Sequence, residues 1–291
     1  MYHYILQRES CRKHMITKEA VNQAIDYIMK NIGKELSIEE IADYCHFSKF
    51  YFSRVFKEET GESIYAFIKR VKMEQSAFRL KVERGRSITD VGYEYGYSPS
   101  NYSTVFKQHH GVTPVNFRRN IYEKSVDHLF HDQKESRFES YEECNRKVSI
   151  KNLEDYYVIY ERQIGNYHNL SQDWNQFTEK YREYITEKTL FFERTYDDPT
   201  ITDADSCLYD ICMSVGKECP LENTYLLQGG KFAIYRYEGL VDKICKAYQT
   251  MFNVWFPQNH YEIDERYGFD IYHSIDCETK YAIMDICIPI R

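Results

Sequence analysis

The chain has 291 residues, 43% of them apolar and 29% charged, which is enough for two domains with separate cores. It contains no apolar run of about eighteen residues, and its opening "MYHYILQRES" lacks the apolar core of a signal peptide, so a cytoplasmic protein with no membrane partner is predicted. The net charge of −7 hides an asymmetry: residues 1–120 hold 19 Lys and Arg against 14 Asp and Glu, whereas residues 121–291 hold 19 against 31, a basic half joined to an acidic one.

Enzyme signatures are thin. There is no P-loop, HExxH or GxSxG, and the lone SxxK at Ser10 lacks its companion motifs. Nine cysteines, an odd number with no CxxC pair among Cys207, Cys212 and Cys219, fit reduced thiols rather than zinc. No cofactor and no metal site is predicted, and the protein is read as a non-enzyme.

Residues 1–16 fit no clear element and are read as an N-terminal extension, with Met15 as an alternative start. From there the chain repeats itself. Ser37 to Arg70 lies over Ser87 to Asn120 without a gap, nine of thirty-four positions being identical. Each copy opens with a serine three residues before an acid, Ser37 with Glu40 and Ser87 with Asp90, the spacing of a capping box or a close variant. After a break at Cys45-His46-Phe47 or Tyr95-Gly96-Tyr97, a second serine caps a second helix, with Pro99 in the first turn of the later copy. Gly61 and Gly111 supply left-handed endings. Within that helix Phe52, Val55 and Phe56 recur as Tyr102, Val105 and Phe106, one buried face. The opposite face carries Lys49, Phe50, Ser53, Arg54 and Lys57 in the first copy and Ser100, Asn101, Ser103, Thr104 and Lys107 in the second.

A single amphipathic hairpin with such a face would be read as merely solvated. Duplication changes that reading. Ser63 to Glu83, free of Gly and Pro, reads as one helix roughly 30 Å long, close to the roughly 34 Å between successive major-groove faces on one side of B-DNA. Two helix-turn-helix units on a rigid spacer answer the repeat physically. These residues resemble the AraC/XylS family of transcriptional regulators over about residues 17–120, through "SKFYFSRVFK" (48–57) with Gly61 and "VGYEYGYSPSNYSTVFKQHHGVTPVNFRR". The resemblance implies an all-α domain that binds double-stranded DNA, with RNA polymerase as partner if the protein activates. Gly92, Lys72 and Ser76 depart from the family's usual Ala, Arg and Ala; Gly92 is expected to loosen the second unit by up to about 1 kcal/mol if it lies within its helix.

Residues 121–147 are polar and weakly periodic, which predicts a linker, with a solvated helix as the alternative. Residues 148–291 then read as strand, helix, strand, strand, written twice. "YYVIYERQIG" (156–165), a helix over 168–185, "TLFFERT" and "SCLYDICMSV" are answered by "KFAIYRYEG" (231–239), a helix over 240–256, "YGFDIYHS" and "YAIMDICIPI". Matching Ile159-Tyr160 to Ile234-Tyr235 and Asp210-Ile211-Cys212 to Asp285-Ile286-Cys287 gives an offset of 75 for both. Two βαββ units predict an α+β domain with a pseudo-twofold sheet and a concave groove between the halves.

The stretches "VIYERQIGNY", "CLYDICMSV", "GGKFAIYRYEG", "FDIYHS" and "DICIPI" resemble a GyrI-like domain, the effector-binding module that follows an AraC-type domain in Rob-like regulators. The resemblance implies a small-molecule effector, often a lipophilic cation, met by an acid among aromatic rings. That acid falls at Asp270, one methylene shorter than the family's glutamate. Candidate pocket residues are Tyr167, Trp174, Tyr209, Trp255, Asp270 and Tyr272, against core packing for the aromatics and an edge-strand acid for Asp270. Two other functions stand beside this one: a hydrolase of small electrophiles using Asp270 as general base, and a DNA-bending or titration protein whose groove is filled by its own side chains.

Overall fold

The computed structural model describes residues 18–130, 138–276 and 278–291; the extension and Met15 lie outside them, as do residues 131–137 of the expected linker. The chain divides into two compact units. One runs to Ala77 and takes in Arg86–Val115, and the other holds Phe78–Gly85 with Asn116–Arg291.

In the first unit, α1 (residues 18–30) precedes α2 (Ile38–Tyr44) and α3 (Lys49–Thr60); α4 (Ile64–Val82), whose residues from Phe78 belong to the second unit, leads to α5 (Ile88–Glu94) and α6 (Pro99–His110). Ser37 and Ser87 accept from the backbone N–H of Glu40 and Asp90 at 3.1 and 3.0 Å. The capping box is only half formed in the first copy, because the Glu40 carboxylate accepts from the Tyr27 hydroxyl at 2.5 Å. Ser48 and Ser98 sit at the next N-caps without a side-chain bond, which departs from the capping expected of them. Gly61 and Gly111 close α3 and α6 at φ 79° and 75°. In the turn between α2 and α3, His46 holds φ 61° where the second copy has Gly96 at 81°; a β-carbon is tolerated there at a cost in strain.

Phe52, Val55, Phe56, Tyr102 and Phe106 are buried as the spacing predicts, and Val105 is half-buried. Gly92 does not loosen the second unit. It lies in α5 against α6, where a β-carbon would stand 2.9 Å from the Tyr102 ring, so the missing side chain is what lets the ring pack. Lys72 is buried and donates to the Lys34 and Tyr95 carbonyls at 2.9 and 3.1 Å, just beyond the ends of α1 and α5, a pair of acceptors that an Arg fork would fit differently. Ser76 turns its hydroxyl onto the Met73 carbonyl at 2.9 Å.

α7 (Pro114–Phe130) carries helix through the first ten residues of the expected linker, and α8 (Tyr141–Lys147) ends it behind a true capping box of Ser140 and Glu143. The second unit is one eight-stranded sheet. Its strands are β1 (Val148–Leu153), β2 (Tyr156–Ile164), β3 (Phe191–Thr195), β4 (Leu208–Ser214), β5 (Thr224–Leu227), β6 (Gly230–Leu240), β7 (Phe269–Asp276) and β8 (Tyr281–Pro289), in the order β1-β6-β8-β7-β3-β4-β2-β5, with every pairing antiparallel. β1 forms one edge, yet only Glu154 and Asp155 separate it from β2 near the other edge. Three peptide steps span at most about 11 Å, so the sheet curls until its edges approach. The backbone N–H of Gly229, in the β5–β6 turn, donates to the Asp155 carboxylate at 2.8 Å across that seam.

The inner face holds Val158, Phe192, Cys212, Phe232, Phe269 and Cys287. The outer face takes both helices. α9 (Leu170–Lys180) packs through Phe177 on Ile159, Ile211 and Met213, and α10 (Ile244–Thr250) packs through Ala247 and the following Met251 on Tyr235, Met284 and Ile286. Strand, helix, strand, strand is thus written twice, with β1 and β5 as additions at the edges.

The register corrects one alignment. Tyr160 pairs with Cys212 on the inner face, and it is Ile234, not Tyr235, that pairs with Cys287. β2 and β6 therefore correspond at an offset of 74, and matching at 75 is a one-residue slip that would exchange the faces. At 74, Arg162 falls on Arg236, and the ion pair of Arg162 with Asp210 (2.8 Å) is repeated by Arg236 with Asp285 (3.0 Å).

Candidate functional site

On α3, Lys49, Phe50, Arg54 and Lys57 are exposed and Ser53 half-buried; on α6, Ser100, Asn101, Ser103, Thr104 and Lys107 are all exposed. Phe50 is 87% exposed, an apolar ring left in water beside two lysines and an arginine. Lys49 is ion-paired to Glu39. Arg54 lies 3.8 Å from Glu58 and over the Tyr51 ring, a loose surface pairing that leaves the guanidinium available. Thr104 turns its hydroxyl back onto the Ser100 carbonyl at 3.0 Å. Each helix thus presents one unpacked polar face of a size that enters a major groove.

The second site lies over β3 and β7, the central strands, on the face that carries α9 and α10. Glu193 and Asp270 are register partners there, so their side chains project on the same side as a directly opposed pair. They are 3% and 2% exposed. Their hydrogen-bond partners are tyrosines: Tyr272 donates to Glu193 at 2.8 Å and Tyr248 of α10 donates to Asp270 at 2.6 Å. Among the described residues no Lys, Arg or His lies within ion-pair distance of either carboxyl. Burial pushes Glu193 up to about 7, against the pull of the Tyr272 hydroxyl. Burial, and then the neighbouring Glu193, hold Asp270 well above the usual carboxylate range.

Aromatic rings wall the pair in. Trp174 of α9 stands edge-on to Tyr272 at 5.5 Å, and its indole N–H is buried without an acceptor among the described residues. Tyr167 stacks on Tyr209 at 4.5 Å, and Tyr209 donates to Asp173 of α9 at 2.9 Å. The pair is buried, and the hydroxyls of Tyr248 and Tyr272 each occupy one carboxyl oxygen that a guest would use, Asp270 Oδ1 and Glu193 Oε2.

A GyrI-like small molecule binding domain matches residues 146–291, and a helix-turn-helix domain matches residues 14–120. The chain belongs to the GyrI-like family. The domain ahead of it is of the AraC type. The chain is 32% identical over 103 residues to the transcriptional regulatory protein YesN of Bacillus subtilis, covering 34% of this chain and 28% of that one. It is 31% identical over 106 residues to the bifunctional transcriptional activator/DNA repair enzyme AdaA of the same organism, covering 36% and 50%. The solved C-terminal domain of AraT, a response regulator of Geobacillus stearothermophilus, is 31% identical, with 35% of this chain and 84% of that one covered and a TM-score of 0.33. The chain thus spans half or less of the length of these two B. subtilis relatives.

Five of the six residues expected to line the GyrI-like groove, Tyr167, Trp174, Tyr209, Asp270 and Tyr272, come together. Trp255 does not. It is buried in the other half, stacked on Tyr261 at 5.9 Å, with its N–H donated to Asn145 of α8 at 3.0 Å. It follows α10 on the helical turn at Met251–Trp255, on the side that faces α8 rather than the axis.

Glu193 and Tyr248 were missed in the sequence, although the repeat carries the signal. Phe192-Glu193 and Phe269-Asp270 correspond at an offset of 77, and Trp174 and Tyr248 at 74. A single offset of 75 passes between them. Lys81 was missed as well. It is fully buried in the GyrI-like unit, donating to Asp198 at 2.7 Å, to Thr200 at 3.1 Å and to Gln249, the residue after Tyr248. Burial works against ionisation of Asp198, and the Lys81 ammonium with the Thr200 bonds overcomes it, holding the carboxyl below its ordinary value. No group of His, Cys, Asp and Glu suited to a metal occurs among the described residues, and no helix there is long and apolar enough to cross a membrane.

Proposed function

We propose that the chain is a transcription regulator in which residues 17–120 bind double-stranded DNA through α3 and α6, and residues 148–291 bind a small organic cation in the groove above Glu193 and Asp270. The observation that carries the sensing half is the acid pair itself. Two carboxyls, each at most 3% exposed, have only tyrosine hydroxyls for company. Burying such groups without a counter-charge costs several kcal/mol each. A cation among aromatic rings supplies the charge and adds cation–π attraction of about 0.5–2 kcal/mol per contact. The ligand shifts DNA binding to the extent that it prefers one state of the protein over another. RNA polymerase is the further partner of an activator.

The test is a fluorescence titration of the full chain with lipophilic cations and neutral analogues of matched shape. Trp174 stands against Tyr272, so a guest at the groove changes its emission. Saturable cation binding, weakened in Asp270→Asn, is expected. The burial of the pair under its own tyrosines is what a rival, a protein that never takes a small molecule, would also show, and binding by neither set would overturn the cation reading.

A further inference from the structure

We propose that Glu193 is a second cation-binding residue of the groove, and that the effector's cationic end donates N–H bonds to both carboxyls at once, an amidinium or similar group rather than a quaternary ammonium. This rests on the effector reading above. The geometry is that of a clasp. Glu193 comes from the first βαββ repeat and Asp270 from the second, directly opposed on adjacent antiparallel strands. Directly opposed side chains have β-carbons about 5 Å apart, a separation that lets two carboxyl heads meet one planar N–C–N group.

Each carboxyl already accepts a hydrogen bond from a tyrosine. A guest with several N–H groups can replace those hydroxyls, whereas a quaternary ion, having no N–H, offers the carboxyls charge but no hydrogen bond. Nothing else among the described residues supplies the charge that two ionised carboxyls require.

Facing the pair are Tyr272 of β7, Tyr248 of α10, Tyr167 after β2, and Tyr209 of β4 with Asp173 of α9; Asp197 and Cys207 lie near Tyr167. Burial raises Tyr167, Tyr248 and Tyr272, so the carboxyls change charge before the phenols do. A cation entering a protonated pair therefore displaces a proton to solvent, and its affinity rises with pH across the range in which Glu193 ionises, about 7.

The experiment is isothermal titration calorimetry of the full chain at about pH 6.5, near the Glu193 transition, in two buffers of different ionisation enthalpy. The probes are benzamidine, phenyltrimethylammonium and the neutral benzamide. Benzamidine is expected to bind with release of about one to two protons, as one or both carboxyls ionise, and to bind about tenfold or more tightly than the quaternary ion, the weight of one charge-assisted hydrogen bond. Glu193→Gln is expected to lower benzamidine affinity by a similar factor and to reduce the proton release to what Asp270 alone supplies, with circular dichroism checking that it folds; Asp270→Asn is the parallel variant. Equal binding of the two cations, or benzamidine affinity and proton release unchanged in Glu193→Gln, overturns the two-carboxyl assignment and leaves the effector reading standing. Failure of both cations to bind the wild type overturns both.

Discussion

Replacing Glu193 by Gln should make the protein more stable at alkaline pH, against the usual outcome of changing a buried residue. The folded state raises this carboxyl from its ordinary 4.5 to about 7, chiefly through burial. At 1.36 kcal/mol per pKa unit that amounts to about 3 kcal/mol. A raised carboxyl binds its proton more tightly when folded, so its contribution is fully present below about pH 4.5 and is lost as pH rises through about 7.

Gln keeps the shape and an oxygen to accept from Tyr272, at a cost of about 1 kcal/mol for the weaker bond. It also removes the negative neighbour that helps to raise Asp270. The variant should then exceed the wild type by about 2 kcal/mol near pH 8 and fall to parity or below near pH 4.5. Urea unfolding followed by tryptophan emission measures this, because both tryptophans, Trp174 and Trp255, lie in the second unit. A difference between variant and wild type that stays constant from about pH 5 to 8 would refute the reasoning, since it would mean that Glu193 does not titrate differently in the folded chain.

Gly92→Ala, which helix propensity alone would favour by about 1 kcal/mol, should instead lower the melting temperature of the first unit, because the added β-carbon meets the Tyr102 ring at 2.9 Å. Calorimetry decides between the two effects by the sign of the shift. Arg54→Ala should relax DNA sequence discrimination more than Thr104→Ala does, by about 1–3 kcal/mol at one base pair, as read from binding to a randomised duplex library; the reverse ranking would place the discriminating contacts on α6. Lys81→Met should destabilise the second unit by about 3–5 kcal/mol, because Asp198 is left buried and uncompensated. The double variant with Asp198→Asn should recover part of that loss in the same unfolding assay.

The helical half was legible because its signals are local. Serine caps, closing glycines and a 3–4 spacing of aromatics each act within one or two turns, and gapless duplication confirms the frame. What escaped was local conflict resolved by tertiary contact. Gly92 looks like a weak helix residue until Tyr102 is set against it, and Lys72 looks like a surface lysine until two backbone carbonyls are brought to its ammonium. In the sheet half the elements were legible and their register was not, because a strand's faces alternate every residue. An error of one in the offset exchanges inside for outside.

The acid pair follows from the duplication that makes the groove. In an antiparallel sheet built from two copies of one unit, the strands that meet at the pseudo-twofold axis pair one position with its own equivalent. Phe192-Glu193 and Phe269-Asp270 are equivalent, and Glu193 pairs with Asp270. An acid at that position in one copy therefore opposes an acid from the other, wherever the rest of the sequence has drifted. Drift is visible away from the axis. Arg162 with Asp210 is buried and joined by Tyr196, while its counterpart Arg236 with Asp285 lies toward the surface. The first became a fixed structural pair carrying its own counter-charge. The pair at the axis has none from the described chain, and Trp174 and Tyr248, equivalent positions of the two helices, have become a ring edge against Tyr272 in one half and a hydroxyl on Asp270 in the other. On the proposed effector reading, a symmetric floor beneath two unlike walls would hold an unsymmetrical guest in one orientation, with its charge on the axis and its apolar body set toward the wall that fits it.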